Sequence, residues 1–237
     1  MQIDNKFDSG IPVWLWLWFP VLFLVFIVLA ALYDFKLAQN MVARENNLVE
    51  LGTVILLIPA IVIGFRSYKL RRLLPESWLG VWVLLTALAC LYFAGEEISW
   101  GQQLFKWETP ESINTINDQN ETNLHNTSSW LDQKPRLLLE ICVLIGGIVL
   151  PVWRYCRKID YSPKHWQYWF WPVAVCFPAA VLTILVKLPE RLKDFFDYLL
   201  FENNLRYSEL QEFYFALFLF LYIYSIYKRL LICKTIQ

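Results

Sequence analysis

The chain has 237 residues, of which 57% are hydrophobic, 17% aromatic and 18% charged, with no formal net charge. A soluble domain of this size is rarely so apolar, and its charged fraction would be nearer a quarter, so composition excludes an ordinary soluble enzyme. The balance of charge and the lack of a basic groove exclude nucleic acid as a partner. Five cysteines with no C-x-x-C pair exclude a disulfide scaffold, a thiol redox motif and a zinc knuckle.

Apolar runs long enough to cross a bilayer recur along the chain. The first, residues 11–33, is about twice the length of a signal-peptide core and has only a weak small-residue cleavage pattern in "LAALYD", so it reads as a retained helix. Five more follow near 46–65, 78–95, 137–153, 166–187 and 209–230, with longer segments at 96–136 and 188–208. The expected fold is all-α: a polytopic membrane helical bundle of about six transmembrane helices. It forms one domain over 1–237, with both termini cytoplasmic and short helices capping the outer face.

The orientation rests on charge. Residues 1–10, 66–77, 154–165 and the C-terminal tail carry 12 bases and 4 acids, against 9 bases and 17 acids on the other side. The positive-inside rule therefore places them in the cytoplasm. Nine tryptophans, from Trp14 to Trp171, cluster near that inner boundary; Trp100, Trp107 and Trp130 fall on the outer side. Indole rings favour the headgroup boundary, which makes this an aromatic belt. The inner loops "RSYKLRRLLPES" and "RYCRKIDYSPKHW" are short basic turns with no enzyme-like pattern.

Ionisable residues in membrane spans are costly and are functional candidates by default. Here they are Glu50, Glu96, Glu97, Glu140, Glu209 and Glu212, all within about two turns of the outer boundary. Four helices thus bring carboxylates to one depth. Some have a base at helical spacing, Arg136 with Glu140 and Arg206 with Glu209, which predicts structural pairs. Glu96, Glu97 and Glu212 have none.

The outer segment begins "EEISWGQQLFKW", where Ser99, Gln102 and Gln103 add polar groups. "EISWG" has the outline of a nucleophile elbow but lacks its first glycine and a preceding strand, so Ser99 reads as a helix-end hydrogen-bonding residue. Thr109, Pro110 and Glu111 in "TPES" predict a helix start. Glu121 and His125, four apart, would share one helical face, a spacing suited to acid–base work or to metal ligation. The "DQNETN" run opens like a calcium loop. It fails at two defining positions, where Asn123 replaces the glycine and Ser129 the closing carboxylate. "LPERLKDFFDYLLFENNLRY" is amphipathic and suits the outer leaflet or the top of the bundle.

The stretch "FAGEEISWGQQLFKWETPESINTINDQNETNLHN", with "ENNLVE" and "SELQEF" elsewhere, resembles an uncharacterised family of bacterial multi-span membrane proteins. The resemblance implies a bacterial inner-membrane protein and assigns no activity.

Three function classes remain. The first is a membrane-embedded enzyme acting on a lipid or lipid-linked substrate at the outer leaflet. In it Glu97, Glu121 and His125 are the catalytic candidates, and Glu50, Glu96, Glu97, His125 and Glu212 the ligands for one divalent metal ion. Oxygen-rich donors of this kind suit calcium, magnesium or manganese, with zinc or iron as open alternatives. Asn123, Glu140 and Glu209 would be further polar contributors. The second is an accessory subunit that docks a protein partner through its outer cap. The third, a transporter or channel, lacks polar residues through the inner halves of the spans. Membrane lipids are partners in all three.

Overall fold

A computed structural model describes residues 10–42, 47–111, 122, 129–196 and 205–236. Six helices in it are long and apolar enough to cross a membrane: Trp14–Tyr33, Leu48–Lys69, Ser77–Glu97, Gln133–Arg157, Trp166–Leu192 and Tyr207–Thr235. The described residues contain no strand, and the all-α bundle is the fold expected from composition. In lipid, a spanning segment must satisfy its own backbone, which leaves the helix as the open-chain solution. Successive spans run in opposite directions. One end of the bundle gathers Glu50, Glu97, Glu140 and Glu212, and the other gathers Arg66, Lys69, Arg154 and Arg157.

The sixth span is the central element. Tyr214, Leu217, Leu221 and Leu230 on it are fully enclosed, and it packs against the second and fifth spans along much of their length. The third span packs on the second, and the fourth on the fifth. Small residues bring these pairs close: Gly64 faces Ala87, and Gly147 faces both Ala180 and Phe218. Close approach over small residues is how helices associate where lipid removes the hydrophobic drive. The third and fourth spans, consecutive in sequence, therefore sit on opposite flanks of the sixth with a gap between them.

Two spans are wound wide over part of their length. Trp14–Trp18 and Val143–Val149 are π-helical, and in each the following residue donates its N–H five positions back, Phe19 to Trp14 and Leu150 to Ile145. In each, one residue separates the wide turn from a proline, Pro20 or Pro151. A proline ring collides with the carbonyl four residues back and offers that carbonyl no donor. A wider turn relieves both problems, and such bulges recur at functional sites.

At the acidic end, Asn47 caps the second span by accepting from Glu50 N–H at 2.8 Å. Its amide also donates to Val42 O at 3.2 Å, fastening the short Phe35–Val42 helix. The first part of the amphipathic 188–208 segment continues the fifth span as the helix Leu188–Phe196. Residues 197–204 lie outside the described residues.

At the basic end aromatic rings pack together, Trp78 edge to face with Trp166 at 5.7 Å and Trp82 tilted against Phe170 at 4.8 Å. Trp169 Nε1 donates to Pro163 O at 2.8 Å. Arg229 is buried beside them, donating to Ser225 O at 3.1 Å and to Tyr168 O, with its guanidinium 4.9 Å from the Tyr168 ring.

Candidate functional site

Three carboxylates converge at the acidic end. Glu97 ends the third span, while Glu209 and Glu212 lie one turn apart on the sixth. One oxygen from each lies within 4.8 Å of the others, and all three side chains are half-buried. Glu50, in the first turn of the second span, is within Coulombic range of Glu97 and Glu209. Three spans thus deliver acids to one point, because each changes direction at the same depth.

Guanidinium groups partly neutralise this charge. Arg136 of the fourth span pairs with Glu212, and Arg206 lies 3.7 Å from Glu209. The pairing of Arg206 with Glu209 was expected from spacing; that of Arg136 with Glu140 was not realised. Glu140 instead meets Arg191 at the end of the fifth span. Helical spacing permits a pair, but a partner on a facing helix wins when both spans present their polar ends at one level.

Glu96 departs from the cluster although it is adjacent in sequence. It is 5% exposed and accepts from Trp100 Nε1 at 2.7 Å. The cause lies in the "SWG" that follows. Ser99, Trp100 and Gly101 all have positive φ, at +47°, +55° and +99°. The left-handed region costs a non-glycine residue about 1–2 kcal/mol, so two such residues in a row mark a turn held by its surroundings. The turn folds the Trp100 ring back over Gly95, where a Cβ would meet it at 2.9 Å. Ser99 is buried in this turn. The "GEEISWG" motif is thus a helix stop that clamps Glu96 under an indole and leaves Glu97 facing the sixth span.

Gln102 organises the chain beyond. Its amide donates to Thr109 Oγ1 at 2.8 Å and accepts from Thr122 N–H at 2.5 Å. The helix expected to start at Thr109 passes out of the described residues after Glu111. The Gln103 side chain, Glu121, Asn123 and His125 also lie outside them. His165, the other histidine, precedes the fifth span at the opposite end of the bundle.

Glu96, Glu97 and Glu212 form one end of a cavity of about 650 Å³, and Glu209, beside Glu97 and Glu212, stands just beyond its lining. It follows the gap between the third and fourth spans and is backed by the sixth. Trp82, Leu85, Thr86, Ala89, Tyr92, Phe93, Glu96 and Glu97 make one helical stripe on the third span. Arg136, Leu139, Cys142, Ile145 and Gly146 face it from the fourth, and Glu212, Phe215, Phe218, Leu219 and Tyr222 form the back wall. At the far end, Trp82 Nε1 donates to Tyr222 OH at 2.8 Å, and that hydroxyl donates to Phe170 O at 2.7 Å. The polar atoms of the floor satisfy one another. Leu85, Leu138, Ile141 and Ile145 on the rim are exposed, so the cavity opens sideways, toward the surface that lipid would cover.

Sequence reasoning ranked Glu209 among secondary polar residues and gave Arg136 no place in the site. The cleft itself has no sequence signal beyond apolar spans, although Arg136 and Glu212 at matching depth on the outer boundaries of the fourth and sixth spans offer a hint. Comparison of the chain with family models, curated proteins and solved structures yields no match.

Proposed function

We propose that the chain is a membrane-embedded enzyme that admits a lipid or lipid-linked molecule sideways into the cleft and acts on its polar end with Glu97, Glu209 and Glu212. The carrying observation is that Glu97 and Glu212, two of the three clustered carboxylates, line the laterally open apolar cleft, with Glu209 next to them. Three carboxylates this close favour a bound cation or shared protons, since like charges at short range resist joint ionisation. One divalent ion held by their oxygens would polarise a phosphoryl or carbonyl oxygen; without it, the same group would serve as acid and base. The excess of bases at the opposite end supports a cytoplasmic placement of that end, with the site opening to the outer leaflet of a bacterial inner membrane.

A second reading draws on the ion pairs. Arg136 with Glu212, Arg206 with Glu209 and Arg191 with Glu140 tie neighbouring helix ends together, as they would in an accessory subunit whose polar network only fixes helix placement. Lipid analysis of cells expressing the wild type, Glu97→Gln or Glu212→Gln, each at equal abundance in the membrane, separates the two. The enzyme reading expects one lipid species to accumulate or vanish in both variants. Unchanged profiles, with folding intact, leave only the accessory role.

A further inference from the structure

The cleft has an apolar body and a charged end, and its occupant must match both. Resting on the reading that a lipid's polar end reaches the carboxylates, we propose that this lipid is an amine-bearing zwitterion of the ethanolamine type. One hydrocarbon chain lies between the third and fourth spans, the ammonium group sits among Glu97, Glu209 and Glu212, and the phosphate faces Arg136.

The apolar part sets the capacity. The stripe from Trp82 to Glu97 rises 1.5 Å per residue, which gives a cleft about 22 Å deep, longer than the ~15 Å hydrocarbon thickness of one leaflet. A whole acyl chain fits, ending against the carbon surface of Trp82, Phe170 and Tyr222. Moving a chain from bilayer to cleft exchanges one apolar surrounding for another, so chain burial discriminates little between lipids. Selection falls to the polar end.

There, among the described residues, the clustered carboxylates of Glu97, Glu209 and Glu212 outnumber the guanidinium groups of Arg136 and Arg206 that pair with them. A purely anionic headgroup meets that excess unfavourably. A primary ammonium brings one positive charge and three donors. With N–H···O bonds of about 2.8 Å, its three acceptors stand roughly 4.6 Å apart, and the three carboxylate oxygens lie within 4.8 Å of one another. Arg136 lines the cleft beside Glu212, and its guanidinium is a planar fork of the kind that pairs with phosphate oxygens. A trimethylammonium head has no N–H to offer the carboxylates.

The test holds the chains constant and varies the head. Purified, delipidated protein is loaded with equal amounts of dioleoyl phosphatidylethanolamine, phosphatidylcholine and phosphatidylglycerol, and retained lipid is counted by native mass spectrometry. Phosphatidylethanolamine is expected to be retained on the order of tenfold over the other two. Glu97→Gln should bring the three toward parity, while Ala89→Trp, which fills the middle of the cleft wall, should lower all three. Equal retention by the wild type overturns the amine assignment, as does a preference that survives both Glu97→Gln and Glu212→Gln in folded protein. Loss of the preference in millimolar magnesium or manganese, with a metal adduct in its place, also overturns it in favour of a metal centre. Should Glu97→Gln fail to fold, the wild-type ratio of ethanolamine to choline lipid decides alone. Lipid displaced by Ala89→Trp without any head preference sinks the amine only. Retention untouched by Ala89→Trp sinks the lipid-cleft reading beneath it.

Discussion

Arg136 of the fourth span and Glu212 of the sixth, 76 residues apart in sequence, form an ion pair across the mouth of the cleft. Both side chains are mostly buried, with 27% and 13% of their surfaces exposed. The pair is a polar link between the flank that carries the fourth span and the central helix. It also places a cation beside Glu97 and Glu209, so its removal acts on charge as well as on packing.

Arg136→Met should therefore be the costlier single change, because it strips a cation from a site already rich in carboxylates. A loss of about 2 kcal/mol is expected, between the values for exposed and fully buried pairs. Glu212→Gln should cost less, since it relieves repulsion while breaking the pair. The double variant should be more stable than Arg136→Met alone. Thermal unfolding of the purified variants in one detergent measures this cycle. Additive losses would mean that the two side chains act independently.

Gly95 and Trp100 form a second testable contact. A Cβ on residue 95 would stand 2.9 Å from the indole, so Gly95→Ala should lift Trp100 and free its hydrogen bond to Glu96. A loss of about 1–2 kcal/mol is expected from the displaced ring and the buried carboxylate left without that donor. Gly95→Ala should cost little in a Trp100→Ala background, where the obstacle is gone. Equal penalties in both backgrounds would place the cause elsewhere.

These two contacts mark how far the sequence could be read. Six spans and the shared depth of the acids follow from hydropathy and charge alone, because burial in lipid demands unbroken apolar runs. Which acid meets which base does not. Several spans are apolar all round, so the sequence carries no stripe that fixes their rotation, and rotation decides that Glu97 faces Glu212 while Glu96 turns to Trp100. The left-handed Ser99 and Trp100 were equally hidden, since only Gly101 in that turn announces a positive φ. The cleft is a property of packing order, with the third and fourth spans held apart by different neighbours.

The floor of the cleft depends on one hydroxyl. Tyr222 OH accepts from Trp82 and donates to Phe170 O in a buried setting. Tyr222→Phe leaves an indole N–H and a carbonyl without their partner, at an expected cost of about 1–3 kcal/mol. Trp82→Phe in addition should recover part of that loss by removing the orphaned donor. Unfolding midpoints of the single and double variants report it, and a Tyr222→Phe protein as stable as the wild type would show that the bridge carries no net stability.

The wide turn in the fourth span should set the position of Arg136. Val143–Val149 holds one residue more than an α-helix would at that point, and Pro151 prevents regular bonding to Gly147 O. Pro151→Ala restores the missing N–H and favours an ordinary α-helix by up to about 3 kcal/mol. Gly147 is anchored against Ala180 and Phe218, so the readjustment must turn the half that carries Arg136. Removing one residue from the winding rotates that half by about 100°. In a Pro151→Ala background the coupling between Arg136 and Glu212 should then fall to near zero, with Arg136→Met costing no more than a surface change. The same unfolding cycle measures it. An undiminished coupling would mean that the bulge persists without the proline and that packing against the fifth span alone imposes it.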